Sequence, residues 1–281
     1  MEDNNLDKKT VESFGDEWAR FDQSGMSELE SEKVFNEYFS IFPWDTLPKN
    51  AVGFDMGCGT GRWALFSAQK VGHLNCIDPS SALGIAEEKL RAYENVTFLN
   101  GSVNDPGLEA NSQDFGYSLG VLHHVPNTAL AIQSCANLLK DNAPLLLYLY
   151  YSFDNRPLWF RCLWKISDII RKLIYRLPPK LKHLVTDIIA VFIYFPLAKT
   201  SLFLQMFKLD VAKIPLSFYK DHSFYTMRTD ARDRFGTPLE QRFSQIQIKE
   251  MMSEAGLCNI KFSENAPFWC AMGIKNNSAK S

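Results

Sequence analysis

An α/β protein built on a mostly parallel sheet is predicted by three observations. Short apolar, strand-type segments alternate with helix-type segments between Ala51 and Tyr151. At this spacing they imply βαβ units with right-handed crossovers, whose sheet is covered on both faces. After Tyr151 the alternation gives way to long amphipathic text and resumes only at Ser244, which predicts a helical insertion within one α/β domain.

The elements follow in order. Residues 1–50 read as a helical cap. "TVESFGDEWARFD" opens with a Thr-x-x-Ser cap pattern at Thr10 and brings Phe14, Trp18 and Phe21 close to one face, and "SELESEKVFNEYFSIF" repeats the apolar spacing. "AVGFDMG", "HLNCIDP", "VTFLNG", "DFGYSLGVL" and "APLLLYLYY" read as five strands. Between them lie the helices "GRWALFSAQ", "SSALGIAEEKLRAYE", capped by Ser80 or Ser81, and "NTALAIQSCANLLKDN", capped by Asn127. Residues 153–240 form the insertion: two amphipathic helical stretches, then the polar run "YKDHSFYTMRTDARDRFGTPLEQRF", either a solvated loop or a segment with a task of its own. A helix from Ser244 to Gly256 and the strands "LCNIKFSEN" and "FWCAMGIK" complete the core, which is assigned to 51–152 and 241–275; residues 276–281 read as a loose tail.

Composition narrows the function. A formal charge of −2 and 22% charged residues argue against gripping nucleic acid through bulk positive charge. The six cysteines show no metal-ligand spacing and read as reduced thiols, and the start of the chain is polar, so a cytoplasmic setting is expected. The longest apolar stretch, Ile188 to Ala198, is short for a bilayer span and is interrupted by Pro196.

The chemistry is concentrated at predicted strand ends. Gly57, Gly59 and Gly61 follow the first strand as G-x-G-x-G, but Arg62 stands where a dinucleotide fingerprint needs its third glycine. Asp78 ends the next strand on the same carboxyl edge, where an acid accepts ribose hydroxyls. Together they favour a nucleoside site over a ligand-free turn or a nicotinamide site.

"VGFDMGCGTGRWA", "CIDPS", "NGSVNDP", "DFGYSLGVLHHV" and "ANLLKDNAPLLLYLY" resemble the successive motifs of class I S-adenosylmethionine-dependent methyltransferases. The resemblance covers Ala51 to Tyr151 closely and Ser244 to Lys275 more loosely. It implies a Rossmann-like sheet of seven strands with the last one antiparallel, and S-adenosyl-L-methionine as cofactor. Carried onto this sequence, it implies that Asp55 anchors the methionine amino end through backbone or water, that Gly57, Cys58, Gly59 and Gly61 line methionine and ribose, that Asp78 takes the ribose hydroxyls and that Pro79 packs on adenine. Ser102 and Val103 occupy the adenine-contact positions, with Ser102 replacing the usual acid, so Asn104 or Asp105 can take over that contact. Leu119 and Gly120 offer backbone near the methionine.

Candidates for removing a proton from a hydroxyl acceptor are His123 and, from the polar run, His222, Tyr225, Arg228 and Asp230, with His123, His222 and Tyr225 taken as the catalytic set. His123 reads either as this base or as packing beneath the cofactor; Cys58 reads as a wall residue rather than a nucleophile. No metal is expected, because Gly120 and His123 stand where a metal-dependent branch has acids. The acceptor is expected to be a small molecule, a saccharide or lipid-linked, without nucleic acid. The insertion packs over the sheet, encloses a lipid-like acceptor, or lies through residues 156–209 on the inner face of a membrane, with Arg171, Lys172, Arg176, Lys180 and Lys182 toward headgroups. The alternative to an enzyme is a non-catalytic nucleoside-binding scaffold or membrane-surface partner.

Overall fold

The computed structural model describes residues 5–22, 25–211 and 214–276. In chain order the elements are α1 (Lys8–Arg20), α2 (Glu28–Tyr38), β1 (Val52–Met56), α3 (Ala64–Ser67), β2 (His73–Ile77), α4 (Ala82–Leu90), β3 (Val96–Leu99), β4 (Phe115–Leu119), α5 (Thr128–Leu138), β5 (Pro144–Tyr148), α6 (Leu158–Ile174), α7 (Pro179–Ile189), α8 (Phe195–Met206), α9 (Phe224–Gly236), α10 (Gln245–Glu254), β6 (Leu257–Phe262) and β7 (Cys270–Lys275). They form two compact units. A sheet unit comprises 1–11, 31–152 and 239–281, and a helical unit comprises 12–30 and 153–238. The N-terminal segment is thus shared: residues 12–30 group with the insertion and 31–50 with the sheet. The expected tail lies, from residue 277 onward, outside the described residues.

The sheet has seven strands in the order β3-β2-β1-β4-β5-β7-β6. β1 to β5 pair in parallel, and β7 runs antiparallel between β5 and β6. This is the expected Rossmann-like sheet with its antiparallel last strand; the closing hairpin joins the sheet through β7 and leaves β6 at the edge. β1 sits at the centre, where the strand order reverses, and ligands of such sheets bind at the carboxyl ends beside that reversal. Burial explains the central position: Phe54, Met56, Ile77, Leu145 and Leu147 are all buried, as strands covered on both faces require.

Local signals set most helix starts. Asn127 caps α5 by accepting the Leu130 N–H at 3.0 Å. Ser244 and Gln247 form a capping box on α10, and Gly256, at φ +80°, ends the segment. Of the two serines before α4, Ser80 carries the bond, its Oγ accepting the Ala82 N–H at 3.3 Å. At α1 the expected cap is displaced. Asp7 accepts the Thr10 N–H at 2.8 Å, while the Thr10 hydroxyl accepts from the Leu239 N–H at 3.2 Å.

In the helical unit, Ile174, Ile189, Tyr194, Met227 and Phe235 form a core. The polar run is not a solvated loop. Ser223 accepts the Thr226 N–H and starts α9, which buries Met227, Ala231 and Arg232. The second amphipathic stretch is a helix, as expected, and Pro196 does not end it. A π-helical stretch, Ala190–Tyr194, joins α7 to α8, so helix runs unbroken from Pro179 to Met206. A wider turn directly before the proline lets its ring clear the preceding carbonyls. This helix is long and apolar enough, by length and composition, to cross a bilayer.

Candidate active site

β1 delivers its chain to the middle of the carboxyl edge, and the glycine loop begins there. Gly57, Gly59 and Gly61 have φ of +78°, +54° and +73°, a region that side chains strain. The loop folds over the end of β2: the N–H groups of Gly57 and Cys58 donate to the Ile77 carbonyl at 2.7 and 3.1 Å, and Gly61 N–H closes the turn on Cys58 at 2.9 Å. Asp78 meets it from β2. Its Oδ2 accepts the Gly59 N–H at 2.8 Å, and its Oδ1 accepts both the N–H and the hydroxyl of Ser80, at 2.8 and 2.6 Å. Burial pushes the Asp78 carboxyl up from the ordinary aspartate value, with the bonds from Ser80 and Gly59 pulling the other way. Pro79, next in the chain, is half-buried.

Asp55, on β1 directly below the loop, is fully buried beside its β4 register partner Tyr117. Neither of its oxygens has a hydrogen-bond partner of ordinary geometry. Burial raises its carboxyl well above the usual range, with the Tyr117 hydroxyl pulling the other way and the nearby charge of Asp78 adding to the rise. Cys58 is buried, and its hydrogen bonding with Cys76 together with burial lifts its thiol well above the usual value. A thiol held protonated is a wall, not a nucleophile. Arg62, at the position that separates this loop from a dinucleotide fingerprint, places its guanidinium over the Trp63 ring, 4.4 Å from the centroid.

The ends of β3 and β4 complete the edge. Ser102 and Asp105 exchange backbone hydrogen bonds at 3.1 Å, making a tight turn that buries Val103. Asn104 is engaged by Ser134, whose hydroxyl lies 3.4 Å from its Oδ1. Leu119 is buried; Gly120 has φ +82°, and a Cβ placed on it would meet only the Tyr148 ring, at 4.0 Å. The backbone at Gly120 therefore borders open room.

A single 3-10 turn, Leu122–His124, follows. The His123 ring is fully buried, stacked on Tyr150 with centroids 3.8 Å apart and 4.0 Å from the ring of His124. Neither of its nitrogens has a hydrogen-bond partner. Burial, then the neighbouring His124 and Arg242, holds its pKa well below the ordinary histidine value, so the ring is neutral. His124 points elsewhere, its Nδ1 2.6 Å from the Leu239 carbonyl.

Arg242 belongs to the same group, although sequence reasoning passed over it. Its Nε lies 2.7 Å from Glu240, its guanidinium sits 5.0 Å from the Tyr150 centroid, and its Nη1 donates to the Tyr151 carbonyl at 3.3 Å. The only hint was "LEQRF", where an acid and a base stand two apart just before strand-and-helix text resumes.

The sheet unit thus brings Asp55, Gly57, Cys58, Gly59, Gly61, Asp78, Pro79, Ser102, Val103, Leu119, Gly120 and His123 to one edge. His222 and Tyr225 belong to the helical unit and have contacts there. His222 is buried against Phe218, its Nδ1 3.0 Å from the Phe218 carbonyl; Tyr225 packs edge-on to Phe21 at 5.7 Å. Among the described residues no group of three or more His, Cys, Asp or Glu is placed to hold a metal ion.

The methyltransferase-domain family matches residues 54–147, which run from β1 to β5. Demethylmenaquinone methyltransferase of Bacillus licheniformis is 28% identical over 105 residues, covering 36% of this chain and 45% of the relative, so the chain spans less than half of that protein. Two solved structures share the fold. A methyltransferase of Thermotoga maritima is 14% identical with a TM-score of 0.50, covering 94% of this chain and all of the other. The methyltransferase SibL is 11% identical with a TM-score of 0.51, covering 88% of this chain and 55% of the other. The family's cofactor, S-adenosylmethionine, suits the residues present. Its ammonium matches the orphaned Asp55 carboxyl, and its ribose matches the oriented Asp78, whose Oδ2 keeps an acceptor lone pair beside the one that takes the Gly59 N–H. Residues 54–147 therefore match a methyltransferase domain, and the chain shares the Rossmann-like fold of S-adenosylmethionine-dependent methyltransferases.

Proposed function

We propose that the chain moves a methyl group from S-adenosylmethionine to an oxygen atom of a small-molecule, saccharide or lipid-linked acceptor, with His123 taking the acceptor's proton. The observation that carries this reading is the His123 ring: neutral, fully buried, three residues beyond Gly120, with both nitrogens lacking a partner. An unpaired buried imidazole is costly. A hydroxyl brought beside it supplies the missing bond and becomes the group it deprotonates.

The other roles follow from the same edge. Asp55 and Asp78 hold the two polar ends of the cofactor. Gly57, Cys58, Gly59 and Gly61 let it approach the backbone, Pro79, Ser102 and Val103 border the adenine, and Leu119 and Gly120 border the methionine. When bound, the cofactor supplies an electrophilic methyl group whose departure needs no proton, so the protein's work is alignment and exclusion of water. The Tyr150 ring fixes the plane of His123 by stacking, and Arg242 fixes Tyr150 in turn. His222 and Tyr225 are acceptor-side candidates from the helical unit; each already has a packing partner there, which leaves the proton step to His123.

The test is transfer of label from methyl-labelled S-adenosylmethionine to polar, glycan and lipid fractions, and to demethylmenaquinone, for which the Bacillus licheniformis relative is named. Label in an oxygen-linked product, lost in His123→Asn with cofactor binding intact, supports the reading. Cofactor binding without transfer to any pool sinks it and leaves a nucleoside-binding scaffold.

A further inference from the structure

α6 is apolar on the side that faces water. At about 100° per residue, Leu158, Trp159, Leu163, Ile166, Ile169 and Leu173 fall within an arc of roughly 140°, and all six are exposed, Leu158 by 76%. Arg161, Lys165 and Lys172 line one border of that arc and are exposed as well. The opposite side, carrying Arg171 and Ile174, is buried in the helical unit. The helix from Pro179 to Met206 repeats the arrangement: Leu181, Leu184, Ile188, Phe192, Phe195 and Phe203 are exposed, Phe192 by 73%, while Lys182, Thr186, Tyr194, Ala198 and Ser201 on its other side are buried. Charge is biased to match. Between residues 153 and 209 there are ten Lys and Arg against three Asp and no Glu, in a chain whose net charge is −2; Arg171 and Lys182, expected toward headgroups, are instead buried on the Thr237 and Gly236 carbonyls, which leaves eight.

We propose that the helical unit docks on an anionic lipid bilayer, with these apolar faces in the headgroup boundary and the bordering Lys and Arg on the phosphates. A face this apolar needs a partner, and an apolar arc edged with basic residues is the pattern of a helix lying in the interface. A second copy of the chain is the poorer occupant, because an antiparallel two-fold pairing of these faces would set the two basic borders against each other, whereas anionic headgroups match them. Crossing the bilayer is the poorer geometry: one side of the long helix is packed against the unit's own core, and its Asp187 is paired with Arg20 and Arg228. The inference rests on the helical unit alone and stands whatever the acceptor proves to be.

Flotation of the full-length protein with vesicles of phosphatidylcholine alone, and of phosphatidylcholine with phosphatidylglycerol, tests it. Binding to the anionic vesicles is expected to exceed binding to the neutral ones by about tenfold or more and to weaken as salt is raised. The double variant Ile166→Glu/Ile169→Glu should lose binding to vesicles of either kind, and Arg161→Glu/Lys165→Glu should lose only the anionic preference. Both variants should retain S-adenosylmethionine binding and the wild-type circular dichroism spectrum, which separates a lost surface from a lost fold. Three results overturn the proposal: no vesicle binding by the folded wild type, a lipid-free dimer in sedimentation velocity that Ile166→Glu/Ile169→Glu dissolves, or resistance to alkaline carbonate extraction, which would mean a spanning helix.

Discussion

Asp78 Oδ2 accepts the Gly59 N–H at 2.8 Å, so the acid of the second strand and the middle glycine of the loop after the first are a single unit. The bond orients the carboxylate before any ligand arrives. Asp78→Asn keeps the size but removes the charge and turns one of the two accepting oxygens into an amide donor. A hydrogen bond to a charged group contributes about 1.5–3 kcal/mol, so the affinity for S-adenosylmethionine should fall by roughly 10- to 100-fold. Titration calorimetry checks this; unchanged affinity in a folded variant would remove Asp78 from the site.

Asp55 separates stability from binding. Burial raises its carboxyl well above the unfolded value. A carboxyl raised on folding contributes stability that is present below its unfolded pKa and is lost as pH rises through the folded one. At neutral pH, Asp55→Asn should therefore stabilise the cofactor-free protein by on the order of 1 kcal/mol, with the gain vanishing as pH falls toward the ordinary aspartate range. The same variant should bind S-adenosylmethionine more weakly, because the orphaned carboxyl is the charge that its ammonium needs. Thermal melts across pH, with and without cofactor, give both quantities. A variant that is less stable and binds unchanged would refute the assignment.

The legible parts of this molecule are the local ones. The glycine loop and Asp78 lie at consecutive strand ends, and the caps at Asn127 and Ser244 are fixed by residues three positions away. The unread parts depend on distant partners. His123 takes its environment from Tyr150 and from Arg242, more than a hundred residues further along the chain. The run that holds α9 looked like solvent-exposed text because its buried side includes Thr226, Thr229 and Arg232. Arg232 is acceptable inside only because Asp16, 216 residues earlier, receives it at 2.9 Å. Periodicity can place an apolar face, but not a charge whose partner lies elsewhere in the sequence.

The neutral state of His123 has a kinetic signature. Its pKa is held well below the ordinary histidine value, so the acid limb of kcat/KM should lie below the range of an unperturbed histidine. His123→Asn should abolish that limb and reduce kcat by about 10²- to 10⁴-fold, leaving the cofactor dissociation constant nearly unchanged. Stability follows the same sign. The buried neutral ring stabilises the fold above the unfolded histidine pKa, and that contribution is lost as pH falls below it, so the variant should show a shallower loss of stability in mild acid. An acid limb that persists in His123→Asn would assign the proton step to another group.

In the helical unit, Arg232 and Glu17 are both fully buried, 3.6 Å apart, and Gly236 has no side chain because a Cβ there would collide with the guanidinium. Removing one partner of a buried pair is far worse than never having had it. Arg232→Met should cost about 3–5 kcal/mol at neutral pH, because it leaves Glu17 and Asp16 without their cation. Burial, and next the charge of Asp233, already hold Glu17 well above the ordinary glutamate value, so Glu17 takes up a proton readily once the cation is gone. The cost of Arg232→Met should therefore shrink as pH is lowered, and the double variant Glu17→Gln/Arg232→Met should recover much of it at neutral pH. Urea denaturation of the three variants across pH measures the coupling. Strict additivity of the two single substitutions would show that this pair does not act as one.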